Sequence, residues 1–251
     1  PTVIYHWPYR IMTHQWLIAI SGYANYRNVS PYNTKLNQER IVDAGEILAA
    51  SKIVPVVTVS QADQAVALAE CLLNAGMSAI EITLRSDVAI TAIENIARDL
   101  PQMTLGAGSV RTAEQLQKVQ AAGAKFAVSP GSSDALLSKA EELAMPFVPG
   151  ASTPSEMIAL LDKGYQLQKF FPAEQAGGLA FLKAVAKPLP EIRFFPTGGI
   201  NAVLAREYLA FEKVACIGGS WFIPTDKVAN GDYVSISNST RQILSEISTS
   251  K

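Results

Sequence analysis

The sequence predicts an α/β fold, a (β/α)₈ (TIM) barrel. Two observations predict it. From about residue 37 onward, eight short apolar runs alternate with segments of helical spacing, and the units recur roughly every 20 to 27 residues. Strands separated by helices in this way form a parallel sheet, and eight such units close most naturally into a barrel. Second, no G-x-G-x-x-G follows the first strand: that turn reads Thr58-Val59-Ser60-Gln61, which weighs against the alternative, a doubly wound open sheet. The span available is about 210 residues, at the low end for a barrel, so short loops are expected.

The expected strands cover residues 53–59, 79–83, 103–106, 126–129, 146–148, 167–171, 193–196 and 214–218. A helix over 61–74 carries Ala and Leu at helical spacing and stops at Ala75-Gly76, a glycine C-cap signal. The next, over 87–100, follows Ser86 as its expected N-cap and stops before Pro101. Thr112 with Gln115 forms a capping-box pattern for a helix ending near Gly123. The strongest start signal is Thr153-Pro154-Ser155-Glu156, with a capping Thr, Pro at the first helical position and Glu three after the cap. Segments 180–187, 202–209 and 233–247 complete the helices.

Residues 1–35 read differently. They are rich in aromatics (Tyr5, Trp7, Tyr9, Trp16, Tyr23, Tyr26, Tyr32) without sustained periodicity. They are expected to be an N-terminal extension outside the fold, with residues 36–251 forming the barrel; the alternative is a segment packed on the outside of the domain or on a neighbouring subunit.

The chain has 251 residues, a formal net charge of −1 and 49% hydrophobic residues. That balance suits one well-filled domain or two small ones, and it gives no support for nucleic acid or a membrane surface as partner. Neither a membrane-spanning run nor a strong secretory signal is read. Cys71 and Cys216 lie in apolar segments without metal-type spacing, so they are expected to be buried free thiols in a reducing cytoplasm. The only histidines, His6 and His14, precede the barrel. A Ser-His-Asp triad, a Cys-His pair or a histidine-bound zinc is therefore an unfavoured reading for the main domain, and acid–base work falls to carboxylates, lysine or tyrosine.

In a barrel, chemistry sits at the C-terminal ends of the strands. This sorts the lysines. Lys52, Lys125 and Lys213 precede strands, whereas Lys169 comes near the end of one, in Leu167-Gln168-Lys169-Phe170-Phe171. Alternation places Leu167, Lys169 and Phe171 on one face. A lysine in an apolar setting is disfavoured as a cation, and a neutral amine is a nucleophile for carbonyl carbon. The competing reading is a core stem with its head in water. In the 79–83 run, Ile80 and Ile82 face the helices, so Glu81 and Thr83 face inward. A buried carboxylate needs a partner, and Lys169 is the obvious one; a merely structural salt bridge is the other reading. Arg85, just past that strand, suits a substrate carboxylate. Ser109, in Gly106-Ala107-Gly108-Ser109, offers a hydroxyl beside a backbone that a ligand can approach. Thr197-Gly198-Gly199 after strand seven and Gly218-Gly219-Ser220 after strand eight fit the phosphate site common in barrels.

These residues carry a resemblance. The chain from about Gly45 to Ile247 resembles the bacterial 2-keto-3-deoxy-6-phosphogluconate aldolases, which also act as 4-hydroxy-2-oxoglutarate aldolases. The matching motifs are Ile53-Val54-Pro55-Val56, Glu81-Ile82-Thr83-Leu84-Arg85, Gly106-Ala107-Gly108-Ser109-Val110, Ser129-Pro130-Gly131, Pro149-Gly150, Lys169-Phe170-Phe171-Pro172-Ala173-Glu174, Pro196-Thr197-Gly198-Gly199-Ile200 and Gly218-Gly219-Ser220-Trp221. The resemblance implies a class I aldolase, usually a homotrimer, that needs no cofactor or metal. Its Schiff-base lysine falls on Lys169, its general acid/base on Glu81, its carboxylate-binding arginine on Arg85, and its phosphate-binding turns on Gly198, Gly199 and Ser220. The family usually has threonine where this chain has Ser109; the hydroxyl is kept, with a less constrained rotamer.

The expected reaction cleaves 2-dehydro-3-deoxy-6-phosphogluconate to pyruvate and glyceraldehyde 3-phosphate, and also 4-hydroxy-2-oxoglutarate to pyruvate and glyoxylate. Three alternatives stand beside it: a preference for the galactonate epimer, a phosphate-binding barrel synthase or isomerase, and a non-catalytic sugar-phosphate sensor.

Overall fold

The computed structural model describes residues 44–48 and 50–248; the expectations for residues 1–35, and His6 and His14 with them, lie outside the described residues. In chain order the elements are α1 (Ala44–Leu48), β1 (Ile53–Val57), α2 (Ala62–Asn74), β2 (Ala79–Thr83), α3 (Ala89–Asp99), β3 (Thr104–Gly108), α4 (Ala113–Ala121), β4 (Phe126–Val128), α5 (Asp134–Glu142), β5 (Phe147–Val148), β6 (Gly150–Ala151), α6 (Pro154–Asp162), β7 (Leu167–Phe170), α7 (Gly178–Val185), β8 (Arg193–Pro196), α8 (Ala202–Leu209), β9 (Ile217–Gly219), α9 (Thr225–Ala229) and α10 (Tyr233–Ser248).

All strand pairs are parallel. Six strands run in the order β5-β4-β3-β2-β1-β9 and three in the order β6-β7-β8. The two arcs are joined at both seams. The bridges Phe194↔Val214 and Thr197↔Gly218 connect β8 to the last strand region. β5 and β6 are two halves of the fifth strand, interrupted at Pro149, which has no N–H to give to a ladder. The Pro149 carbonyl still accepts from Lys169 N–H at 2.8 Å. The expected barrel is thus present, with its fifth strand extended beyond the expected 146–148. The expected last strand, 214–218, is divided: Val214 pairs toward β8, and pairing with β1 begins at Ile217.

The capping signals divide in an informative way. Thr153 and Glu156 form the full reciprocal box, with Pro154 at the helix start. Thr112 accepts from Gln115 N–H, but the Gln115 side chain takes the N–H of Arg111 instead of that of Thr112, so the box is half-formed. Ser86 does not cap its helix. α3 begins later, at Ala89, and the Ser86 carbonyl rather than its hydroxyl accepts the Ala89 N–H at 3.3 Å. α5 and the short α1 and α9 are additions beyond the helices expected one by one.

Two apolar layers result from strand alternation. The larger lies between sheet and helices and includes Ile53, Ile80, Ile82, Leu105, Phe170, Phe194 and Ile217. The smaller fills the barrel with Val54, Ala79, Phe126, Val128, Val148, Leu167, Phe195 and Cys216, and Ala44 and Leu48 of α1 pack on it from the N-terminal end. Gly106 is required here, because a Cβ would overlap the Phe126 ring. Burial pushes the Cys216 thiol up to about 12, so it is an inert filler. Cys71 is only partly buried and donates to the Tyr233 carbonyl, in place of the full burial expected. Lys125 and Lys213, before their strands, hold loop carbonyls at Met103 and Pro190.

Candidate active site

The polar interior begins above the apolar plug. Glu81 on β2 and Lys169 on β7 both point into the barrel, as alternation requires. Lys169 Nζ lies 3.6 Å from Glu81 Oε1, with the two side chains 5% and 0% exposed. That separation is an ion-pair contact without a hydrogen bond, and neither Glu81 oxygen has any hydrogen-bond partner among the described residues. An unsatisfied buried carboxylate costs stability. Lys169 Nζ also sits 5.5 Å from the centre of the Phe171 ring, within cation–π reach. On the opposite face of β7, Phe170 stacks on Phe181 in the outer layer and Gln168 donates to the carbonyls of Met157 and Tyr165. These contacts lock the strand's register and so the direction of Lys169.

Gly108 on β3 makes room for the pair: a Cβ there would overlap the Glu81 carboxylate. The next residue, Ser109, has φ 58°, the left-handed region that is strained for a side-chain-bearing residue. Its Oγ accepts from Arg85 Nε at 3.0 Å. Arg85 and Ser109 line a cleft of about 510 Å³ together with Leu84, Ser86, Asp87, Arg111, Pro130 and Phe171. Phe171 borders both the cleft and Lys169, which ties the two halves of the site together. Thr83, also inward, bonds Thr58 across the mouth at 2.7 Å.

The glycine turns are not equivalent. Gly198 and Gly199 have φ of 108° and 76°, so the turn after β8 needs glycine for its backbone. The loop after β7 is stitched to it by Ala173 N–H to Thr197 carbonyl at 2.9 Å and Glu174 N–H to Gly198 carbonyl at 3.2 Å. Tyr208 of α8 donates to Glu174 Oε1 at 2.5 Å; burial, with help from that bond, pushes its phenol well above the usual range and keeps it a donor. Gly218 and Gly219, expected in a turn, lie within β9 instead. They are glycine for packing: a Cβ would overlap Thr197 at the first and the Trp221 ring at the second. Thr197 Oγ1 is buried without a hydrogen-bond partner among the described residues. Ser220, just past β9, is exposed.

Among the described residues, no group of three or more His, Cys, Asp or Glu is placed to hold a metal ion, and no helix is long and apolar enough to cross a membrane.

With this geometry in hand, comparison with known proteins is direct. Residues 44–239 match the family described as KDPG and KHG aldolase. The chain belongs to this family. The KHG/KDPG aldolase of Escherichia coli is 44% identical over 201 residues, covering 80% of this chain and 94% of that one. A solved KDPG aldolase from Legionella pneumophila, with pyruvate captured at low pH as a covalent carbinolamine intermediate, has 40% identity and a TM-score of 0.78, covering 79% of this chain and 97% of that one. The KDPG aldolase of Zymomonas mobilis, solved with 3-phosphoglycerate, has 34% identity and a TM-score of 0.77, covering 84% and 98%.

Every site residue singled out from the sequence of this aldolase-family chain falls at the C-terminal end of the barrel. Glu81 meets Lys169 and Arg85 meets Ser109, whereas Gly218 and Gly219 pack rather than turn. Arg111 and the Tyr208–Glu174 strap were not singled out. Arg111 could have been noticed as the first cation after the Gly-Ala-Gly-Ser turn, but no local pattern joins Glu174 to Tyr208 across 34 residues.

Proposed function

We propose that the protein is a class I aldolase in which Lys169 attacks the C2 ketone of a 2-keto-3-deoxy-6-phospho sugar acid and loses water to give an iminium. Glu81 takes the C4 hydroxyl proton, the C3–C4 bond breaks, and its electron pair is held as the enamine. Glyceraldehyde 3-phosphate leaves, Glu81 returns a proton to C3, and water hydrolyses the iminium to release pyruvate and the free amine. The same steps on 4-hydroxy-2-oxoglutarate yield glyoxylate. Arg85 and Ser109 hold the keto-acid carboxylate, which positions C2 against the amine. The phosphate is received by the Gly198-Gly199 backbone, Thr197 Oγ1 and Ser220 around the β8–β9 mouth; Gly218 and Gly219 serve by letting Thr197 and Trp221 pack closely.

The observation that carries this reading is the buried Lys169–Glu81 pair without a hydrogen bond, a costly arrangement that a purely structural interior would replace with apolar side chains. Family membership supports a homotrimer working in the cytoplasm, with a small keto acid as its partner and no metal in the reaction.

Borohydride reduction in the presence of pyruvate tests it. A covalent adduct on Lys169, absent in Lys169→Met, together with pyruvate release from the phosphorylated keto acid, is the expected result. Phosphate binding without an adduct would point to the synthase or isomerase reading, and substrate binding without pyruvate release to the sensor.

A further inference from the structure

We propose that Arg111 is a second cationic arm of the keto-acid carboxylate site, working beside Arg85. The inference rests on the aldolase reading above and extends it to a residue outside the expected set. Arg85, Ser109 and Arg111 line the same cleft, and Ser109 lies between the two arginines in sequence. The backbone from which Arg111 springs is held on both sides. Val110 is fully buried and its N–H meets the Val128 carbonyl at 3.2 Å, while the Arg111 N–H donates to Gln115 Oε1 at 2.8 Å. The base of the side chain is therefore fixed at the rim, and its long stem can swing its guanidinium toward the cleft.

Charge at this cleft is unbalanced. Neither Arg85 nor Arg111 makes an ion pair among the described residues. Arg85 Nε is spent on the neutral Ser109 hydroxyl. The one acid at the cleft, Asp87, is likewise without an ion pair among the described residues. Two guanidiniums around one opening attract an anion and bind a carboxylate with several donors. Arg111 is exposed, so its effect is a moderate one on capture, weakened by salt, rather than on the bond-breaking step.

Because every substrate of this reaction shares the carboxylate end, the signature is uniform. Arg111→Leu should raise KM for the phosphorylated keto acid, KM for 4-hydroxy-2-oxoglutarate and the pyruvate concentration for half-maximal borohydride trapping by about three- to tenfold each. The turnover number should fall by less than about twofold, since the interaction is the same in ground and transition states. Arg111→Lys should recover part of the loss at low salt. Unchanged values for all three ligands would overturn the proposal. So would a rise confined to 4-hydroxy-2-oxoglutarate, which would place Arg111 at the distal carboxylate instead. Absence of an adduct in the unaltered protein would bring down the aldolase reading itself and this assignment with it, an outcome distinguishable from failure of the Arg111 role alone.

Discussion

The two ends of the barrel interior are built by the same rule and hold opposite chemistry. At the N-terminal end, inward positions carry Val54, Ala79, Phe126, Leu167 and Phe195, packed into an apolar plug with α1 against it. Two residues further along the same strands, Ala79 gives way to Glu81 and Leu167 to Lys169. A parallel strand moves about 6.6 Å over two residues, so the plug and the Lys169–Glu81 pair are adjacent layers of one interior. The plug contributes stability and excludes water from below. The layer above accepts the cost of unsatisfied polar groups, seen at Glu81 and Thr197. Glycine marks both layers, under Phe126 at Gly106 and under Glu81 at Gly108. The interior is thus packed tightly right up to the Lys169–Glu81 pair.

Substitutions at the two ends should separate stability from chemistry. The largest effect is expected from Glu81→Gln, which keeps the shape but removes the base. Turnover should fall by about 10² to 10⁴, while borohydride trapping of pyruvate on Lys169 persists. Turnover within twofold of the unaltered protein would mean that another group moves the proton. Next is Phe126→Ala in the plug, expected to cost about 3–5 kcal/mol in urea unfolding because the cavity cannot collapse in a closed barrel. At low temperature its KM should stay near the original value; a large rise in KM with little loss of stability would show that the plug is not independent of the layer above. Smaller still is Thr197→Val. It should raise KM for the phosphorylated substrate by about tenfold and leave 4-hydroxy-2-oxoglutarate unaffected, as loss of one hydrogen bond to a charged group predicts. Equal loss on both substrates would remove Thr197 from the phosphate site.

Much of this was legible in the chain because it depends on local rules. The period-2 alternation that turned Glu81 and Lys169 inward, and the Thr153–Glu156 cap, need only neighbouring residues. Legibility failed at two turns. Ser86 looked like an N-cap, but the chain after β2 turns at Arg85, whose N–H bonds the Thr83 carbonyl at 2.8 Å, and the helix starts three residues later. Gly218-Gly219 reads as a turn after the last strand, yet both lie within β9, where Thr197 and Trp221 leave no room for a Cβ.

By itself, then, the sequence determined the alternating strand–helix order, the inward set of polar side chains and the separation of the inward Lys169 from the lysines that precede strands, because each follows from backbone periodicity. Only the tertiary structure decided that Lys169 and Glu81 stand 3.6 Å apart without a hydrogen bond, that Pro149 divides the fifth strand, and that Arg111 shares a cleft with Arg85. The first and last are relations between residues far apart in the chain, and they exist only once the barrel closes.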